Sequence, residues 1–169
     1  WLCWPRFDSN FVFGGLLDKE KGGEFSILPA GEYLSRQYYL DNTNVLCTEI
    51  SNPEGKYRIF DFAPRFYQYE RYYKPLMLIR KIEPLEGNPR IKVSCKPVFQ
   101  YGKAKQKSSR GSNHISFTGD DEDMQLSTNI SLSYIEDGKY FALNESKYLI
   151  LTYGHDLDAP IISTAERFL

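Results

Sequence analysis

The chain has 169 residues, of which 41% are hydrophobic and 25% are charged, and its formal net charge is −1. This balance excludes a disordered tail, and it lacks the basic excess that is typical of nucleic-acid-binding domains. No apolar run approaches the roughly 20 residues that span a bilayer. Phe, Trp and Tyr supply 15% of the residues, and aromatic side chains favour strands over helices. Composition therefore predicts one β-rich domain with neither a membrane nor a nucleic acid as its partner.

The first 23 residues are rich in glycine and aromatic side chains, and they predict at most a short helix over Phe11–Leu17. From residue 24 onward, strand patterns alternate with turn signals made of Gly, Pro, Asn and Asp. The predicted strands are Glu24–Leu28, Tyr33–Leu40, Asn44–Ile50, Tyr57–Phe62, Leu76–Ile82, Arg90–Val98, Met124–Ile135, Lys139–Leu143 and Lys147–Tyr153. Many short strands with regularly spaced turns predict an all-β sandwich or barrel.

Three connecting segments have a predicted local structure. Asp137-Gly138 stands between two predicted strands, and this dipeptide favours a tight hairpin turn. The basic segment Gly102–Ser112 and the acidic segment Gly119–Asp123 are typical of solvated loops, since charged runs are usually exposed.

The C-terminal residues predict the start of a helix. Ser163-Thr164-Ala165-Glu166 matches a capping box, with Ser163 at the N-cap and Glu166 at the third helical position. Only three residues follow, which are too few for a helix that is stable alone. We therefore expect one domain of a longer protein, with a β-sandwich over residues 1–154 and a linker and helix start over residues 155–169.

Three cysteines, Cys3, Cys47 and Cys95, are widely separated. An odd number of cysteines is a poor basis for a disulfide framework. The sequence therefore predicts buried, unpaired thiols in a reducing compartment, which indicates a cytoplasmic protein.

Residues that could carry catalysis or bind metal are scarce. The only histidines, His114 and His155, have no further ligands at a metal-binding spacing. The acidic run Asp120–Asp123 lacks the alternating ligands and the glycine of a calcium loop. Since the known nucleophile and phosphate-binding motifs are also missing, we expect no catalytic residue, no metal and no cofactor in this chain.

The first cluster of interest is the opening segment, Trp1–Ser9, whose candidate residues are Trp4, Arg6 and Asp8. An Arg and an Asp two positions apart can hold a loop rigid through charge-assisted hydrogen bonds. The loop could be fixed to its own core or to a neighbouring domain. Contact with a sugar is the alternative, because aromatic faces and planar polar groups suit pyranose rings.

The second cluster contains four tyrosines within seven positions, and they are Tyr67, Tyr69, Tyr72 and Tyr73. Tyrosine is enriched in wet contact surfaces, so these residues are candidates for a domain interface. A sugar-binding platform is the alternative.

A family resemblance is carried first by Trp1-Leu2-Cys3-Trp4-Pro5-Arg6-Phe7-Asp8-Ser9. This run resembles the opening of the trehalase-like N-terminal domains found in bacterial and archaeal enzymes of glycoside hydrolase family 15, a family of glucoamylase, glucodextranase and trehalase type. The resemblance covers essentially the whole chain, and its further matches are Leu16-Leu17-Asp18, Gly22-Gly23, Tyr39–Leu46, Asp61–Phe66, Leu78–Ile82, Lys96–Gly102 and Gly111–Ile115.

The resemblance implies an antiparallel β-sandwich of the super-sandwich type, followed by an (α/α)6 catalytic barrel in the same polypeptide. In that family the barrel carries the two glutamates that act as general acid and general base, so no catalytic residue is expected here. The implied substrate is trehalose or an α-glucan. Two other functions stay open, namely an independent carbohydrate-binding module that uses the tyrosines and a structural, adhesin-like sandwich.

Overall fold

The computed structural model describes residues 1–104 and 106–169, apart from the side chain of Gln68. The strands are β1 (Leu2–Cys3), β2 (Phe11–Phe13), β3 (Glu24–Pro29), β4 (Leu34–Tyr39), β5 (Leu46–Asn52), β6 (Gly55–Phe62), β7 (Phe66–Gln68), β8 (Arg71–Tyr73), β9 (Met77–Gly87), β10 (Arg90–Lys96), β11 (Lys107–Arg110), β12 (His114–Thr118), β13 (Asp123–Thr128), β14 (Phe141–Ala142) and β15 (Lys147–Tyr153). The helices are α1 (Leu132–Glu136) and α2 (Ile161–Phe168), with a 3-10 turn at Gln100–Gly102.

Two antiparallel sheets form the body of the domain. The large sheet has eight strands in the order β11-β12-β13-β15-β9-β6-β5-β4, and the small sheet has the order β14-β10-β3. Strands β1 and β2 form a separate pair, as do β7 and β8. The all-β antiparallel sandwich expected from the sequence is therefore confirmed.

The large sheet buries apolar side chains on both of its faces. The inner cluster lies between the two sheets, and its members include Ile82, Leu149 and Leu151 of the large sheet and Ile91 and Val93 of the small sheet. On the opposite face lies the outer cluster, whose members are Val45, Cys47, Phe60, Phe62, Met77, Ile79, Tyr148, Ile150 and Ala165, with Tyr38, Leu40, Leu157, Ile161 and Phe168 packed against them. Helix α2 supplies Ala165, Ile161 and Phe168 to the outer cluster. It therefore covers part of the outer face.

An ion pair between a buried lysine and a partly exposed glutamate fixes α2 to the outer face. Lys81 of β9 is 8% exposed, and its Nζ lies 2.8 Å from Oε1 of Glu166 in α2. The hydroxyl of Tyr148 in β15 donates a hydrogen bond to the same oxygen. A buried ammonium without a partner is strongly destabilising. Glu83 of the same strand lies 3.8 Å from the Lys81 ammonium, so the carboxylate that α2 provides is the nearer of two partners.

The protonation state of Glu166 links this contact to pH. The Lys81 ammonium, and after it the Tyr148 hydroxyl, hold the pKa of the Glu166 carboxyl below its ordinary value of 4.5. A carboxyl whose pKa is lowered by folding contributes stability that is complete above its unfolded pKa. That contribution is lost as the pH falls through the lower pKa of the folded state.

The helix predicted over Phe11–Leu17 is wrong. Phe11–Phe13 is instead the strand β2, which pairs with β1, and all three of its side chains are buried. The chain then makes a closed turn in which the Gly14 amide donates to the Gly22 carbonyl. Two aromatic residues around a valine favour a strand, and the glycines that follow end the element.

The hairpin predicted at Asp137-Gly138 is also wrong. Strand β13 ends at Thr128, and Leu132–Glu136 forms α1, which packs against β10. Leu132 and Ile135 are buried together in the inner cluster because a spacing of three places them on one helix face. Gly138, at φ 61°, follows the end of the helix. The last predicted strand before β15 shrinks to β14, which pairs with β10.

The C-terminal helix is present, but its predicted cap is wrong. Helix α2 begins at Ile161 with Pro160 at the N-cap, so Ser163 lies inside the helix, where its hydroxyl donates to the Pro160 carbonyl. Glu166 faces Lys81 rather than the helix start. The segment predicted as a basic loop also contains the edge strand β11. No helix in the described part of the chain is long and apolar enough to cross a membrane.

We expect the variant Glu166→Gln to lower the free energy of unfolding by about 1–3 kcal/mol, because the buried ammonium of Lys81 loses its nearer carboxylate and keeps only Glu83 at 3.8 Å. Chemical denaturation monitored by tryptophan fluorescence measures this change. The matched control is Glu86→Gln, since Glu86 pairs with Lys56 at 3.0 Å but both side chains are about half exposed or more. Equal losses in the two variants would show that α2 is not held by this pair.

The three cysteines are free in the structure, as predicted, and Cys47 and Cys95 are buried while Cys3 is partly exposed. Burial raises the pKa of the Cys95 thiol. We expect a thiol reagent to modify Cys3 first in the folded protein and all three thiols after unfolding without reductant. A count of one thiol in the unfolded, unreduced protein would contradict this arrangement.

Candidate functional site

The opening segment is a closed loop anchored by a buried tryptophan. Leu2 pairs with Phe13 and Cys3 with Phe11, so the residues between the two strands form a connecting loop. The Trp4 ring is buried at the inner cluster and meets the Tyr153 ring edge-on, with 6.0 Å between the ring centroids. Trp4 therefore holds the loop from within, and the residues after it form the outer surface.

The structure brings Arg6 and Asp8 together as a two-point ion pair. Their Nε–Oδ1 distance is 3.0 Å and their Nη2–Oδ2 distance is 3.1 Å. The Ser9 hydroxyl also accepts a hydrogen bond from the Arg6 amide. The two side chains are 75% and 50% exposed, and an exposed ion pair adds little stability. Its main effect is to hold a guanidinium and a carboxylate in fixed positions at the surface.

Exposed apolar side chains lie in the loop before β2 and in the turn after it. Phe7, between Arg6 and Asp8, is 93% exposed, and Leu16 and Leu17 are also exposed after β2. The turn that carries these leucines is rigid because Asp18 accepts hydrogen bonds from two backbone amides, which lower the pKa of its carboxyl. A Cβ at Gly22 would lie 2.4 Å from the Asp18 carbonyl oxygen, so only glycine fits this turn.

The four tyrosines lie on one hairpin, formed by β7 and β8, which we call the aromatic hairpin (residues 66–73). Tyr73 lies opposite Phe66, and their rings stack with 5.1 Å between centroids. Tyr72 lies opposite Tyr67, and those rings meet edge-on at 4.9 Å. Tyr69 occupies the tip. Cross-strand pairs alternate between the two faces of a hairpin, so the two pairs point in opposite directions.

A partly buried arginine that the sequence did not single out joins the two sheets. Arg80 of β9 makes two contacts with Asp61 of β6, at 2.7 and 3.1 Å. It also donates to the Phe25 carbonyl of the small sheet and lies 4.8 Å from the centre of the Phe25 ring. The signal was present in the run Leu78–Ile82, where two adjacent charged residues occupy a strand that is buried on both faces. Each charge then needs its own partner.

A cleft lies between the outer face of the large sheet and the segment before α2. It has a volume of about 640 Å³ and a polar lining that includes His114, Gln125 and Asp156. Gln125 donates to Asp156 at 2.9 Å and accepts from Ser127 at 3.1 Å, so the floor is hydrogen-bonded within the protein. In the part of the chain that the structure describes, no group of three His, Cys, Asp or Glu side chains is placed to hold a metal ion.

The carboxyl groups with shifted pKa values have the wrong direction of shift for a general acid. The pKa is lowered in Asp18, Glu54, Glu145 and Glu166, in each case first by a hydrogen bond from a backbone amide or a cationic side chain. A glycosidase acid needs a raised pKa so that it stays protonated at its working pH. These four carboxyls are therefore unsuited to act as the general acid.

Comparison with known proteins shows where this domain occurs. The family model for the trehalase-like N-terminal domain matches residues 1–143. The chain is 33% identical over 161 residues to a trehalase of Thermoplasma volcanium and 33% identical over 168 residues to a trehalase of Thermoplasma acidophilum. It is also 32% identical over 167 residues to trehalase 1 of Sulfolobus acidocaldarius. No solved structure matches it.

These matches cover most of this chain but only a small part of each relative. They cover 91%, 95% and 88% of this chain but only 26%, 29% and 27% of the three relatives. The chain thus spans about a quarter of the length of the curated relatives it matches. Its match to the family model extends over most of its length, and the chain belongs to the family of trehalase-like N-terminal domains.

Proposed function

We propose that this chain is the non-catalytic N-terminal domain of a glycoside hydrolase of family 15 that cleaves the α-glucosidic bond of trehalose. Almost the whole chain is similar to a segment that makes up about one quarter of the length of proteins named trehalase, and this observation carries the proposal. On this proposal residues 1–154 are the sandwich and residues 155–169 lead into an (α/α)6 catalytic barrel.

The proposed division of labour follows from the chemistry of the reaction. Water adds to one glucose unit of trehalose while the glycosidic oxygen leaves with a proton, so two glucose molecules form. Inverting hydrolysis needs a general acid and a general base about 6.5–9.5 Å apart in a cleft. The lowered pKa values of four carboxyls in this domain speak against a general-acid role for them, and the acid and base are proposed to belong to the barrel.

The loop of Trp4, Arg6 and Asp8 is proposed to contact the catalytic domain and to form part of the rim of its substrate entrance. A buried Trp4 fixes the loop, and the Arg6–Asp8 pair presents planar donors and acceptors of the kind that bind sugar hydroxyls. The exposed Phe7 ring beside the pair supplies an apolar contact.

The 169-residue chain alone is expected to release no glucose from trehalose, whereas the full-length protein releases it. A coupled glucose assay on both purified proteins measures this. Maltotriose serves as the second substrate, because hydrolysis of maltotriose but not trehalose by the full-length protein would overturn the proposed substrate. Glucose release by the isolated chain that a single carboxylate substitution abolishes would overturn the non-catalytic role.

The variant Arg6→Ala in the full-length protein is expected to lower kcat/KM for trehalose about tenfold, which corresponds to about 1.4 kcal/mol of transition-state stabilisation. Its melting temperature should stay unchanged because the ion pair is exposed. Arg110→Ala is the matched control, since Arg110 forms a similarly exposed pair with Glu136. If both variants keep the wild-type kcat/KM, the loop is not part of the rim.

A further inference from the structure

The last turn of α2 is held in a fixed position by the fold. Helix α2 is held on the outer face by Lys81, Glu166 and Tyr148. At its last turn the Phe168 ring stacks on Phe66 of the aromatic hairpin, with 4.9 Å between the ring centroids and an angle of 26° between the planes. Polypeptide that continues beyond Leu169 therefore starts beside this hairpin.

Most of the aromatic surface of the hairpin is uncovered. Phe66 and Tyr73 pack toward α2, but Tyr67 and Tyr72 on the opposite face are each 62% exposed, and Tyr69 at the tip is 78% exposed. A two-stranded hairpin is marginally stable when it is left in water. Exposed aromatic clusters on a rigid support are typical of protein interfaces.

The backbone at the hairpin tip is unfavourable for its residue types. Tyr69 and Glu70 have φ of 51° and 60°, which is the left-handed region. Two consecutive residues with positive φ are typical of a type I′ turn, which favours Asn-Gly because other residues are strained there. Folding alone thus gives no reason for a tyrosine at this position. A tyrosine held outward at some conformational cost is consistent with recognition by a partner.

The charges around the hairpin indicate the chemistry of that partner. Residues 65–74 carry three cationic side chains, Arg65, Arg71 and Lys74, and one anionic side chain, Glu70. The Arg65 guanidinium lies over the Tyr72 ring at 5.3 Å, so the positive charge adjoins the exposed aromatic face. An apolar surface bordered by acidic side chains is complementary to this arrangement.

We infer that the aromatic hairpin is the docking surface for the domain that follows Leu169, which meets it with an apolar and acidic face. This inference rests on the proposed function, because it requires a domain downstream. The occupant is the protein's own downstream polypeptide because α2 packs against the hairpin through Phe168 and because the matched trehalases are about three and a half times as long as this chain. A tethered domain also docks at a high effective concentration, so a small interface suffices.

Hydroxyl-radical footprinting of the full-length protein and of the 169-residue chain tests the inference. We expect oxidation of Tyr67, Tyr69 and Tyr72 to be at least about fivefold slower in the full-length protein, since docking excludes water from their rings. Tyr39, which is 64% exposed on edge strand β4, is the internal control and should react equally in both proteins. Equal oxidation of the hairpin tyrosines in the two proteins would overturn the inference.

The variant Tyr69→Asn separates docking from folding. Asn accepts positive φ more readily than Tyr does, so the isolated domain should keep or gain stability. In the full-length protein the same variant should restore fast oxidation of Tyr67 and Tyr72 if docking depends on the Tyr69 ring. Tyr39→Asn is the matched control and should leave both rates unchanged. If Tyr67 and Tyr72 stay fully protected in the full-length Tyr69→Asn variant, the Tyr69 ring is not part of the interface. The inference is then overturned at this position.

Two further outcomes distinguish this inference from the proposed function. Trehalose hydrolysis by a full-length protein whose hairpin tyrosines stay unprotected supports the proposed function and overturns the docking surface. Protection without trehalose hydrolysis supports the docking surface and overturns the proposed substrate. Protection of the same tyrosines in the isolated chain by millimolar trehalose or maltotriose would assign the hairpin to sugar binding and would also overturn the inference.

Discussion

An eight-stranded sheet with apolar side chains on both faces has to be covered on both faces, and the rest of the structure depends on this constraint. The small sheet covers the inner face, and α2 covers part of the outer face. Strand β9 lies near the middle of the large sheet and buries Lys81 on the outer side. The carboxylate of Glu166 satisfies this ammonium, so one helix supplies both apolar cover and charge compensation.

Because α2 is fixed in this way, it also determines where the chain leaves the domain. Phe168 stacks on Phe66, and the aromatic hairpin is thereby supported on one side and open on the other. At the beginning of the chain, Trp4 anchors the loop that carries Arg6 and Asp8 in a comparable manner. Both surfaces proposed to face the catalytic domain thus consist of exposed groups held by aromatic side chains, the buried Trp4 in one and the partly buried Phe66 and Phe168 in the other.

The strands could be predicted wherever the alternation of side chains had only one interpretation. In β10, Ile91, Val93 and Cys95 face the core as expected. Leu132 and Ile135 were misassigned because their neighbourhood fits a strand period as well as a helical spacing of three. The packing of Leu132 and Ile135 in the inner cluster, where α1 contacts β10, stabilises the helix.

The candidate site was predictable only where it is local in sequence. Arg6 and Asp8 are two positions apart, and their pairing followed from that spacing. Lys81 and Glu166 are distant in the chain, and periodicity shows only that Lys81 needs a partner. Because Ser163 matches a helix cap, the sequence also predicted Glu166 as the partner of that cap, whereas Glu166 pairs with Lys81.

Helix α2 is an integral part of the folded domain rather than the loose start of a linker. Native-state hydrogen exchange on the 169-residue chain tests it most directly, because docked elements that share a core exchange through the same opening. The amides of α2 should be protected to nearly the same degree as those of β9 and β15 at neutral pH. Exchange of α2 at the rate of an unstructured peptide, with both strands still protected, would contradict the account.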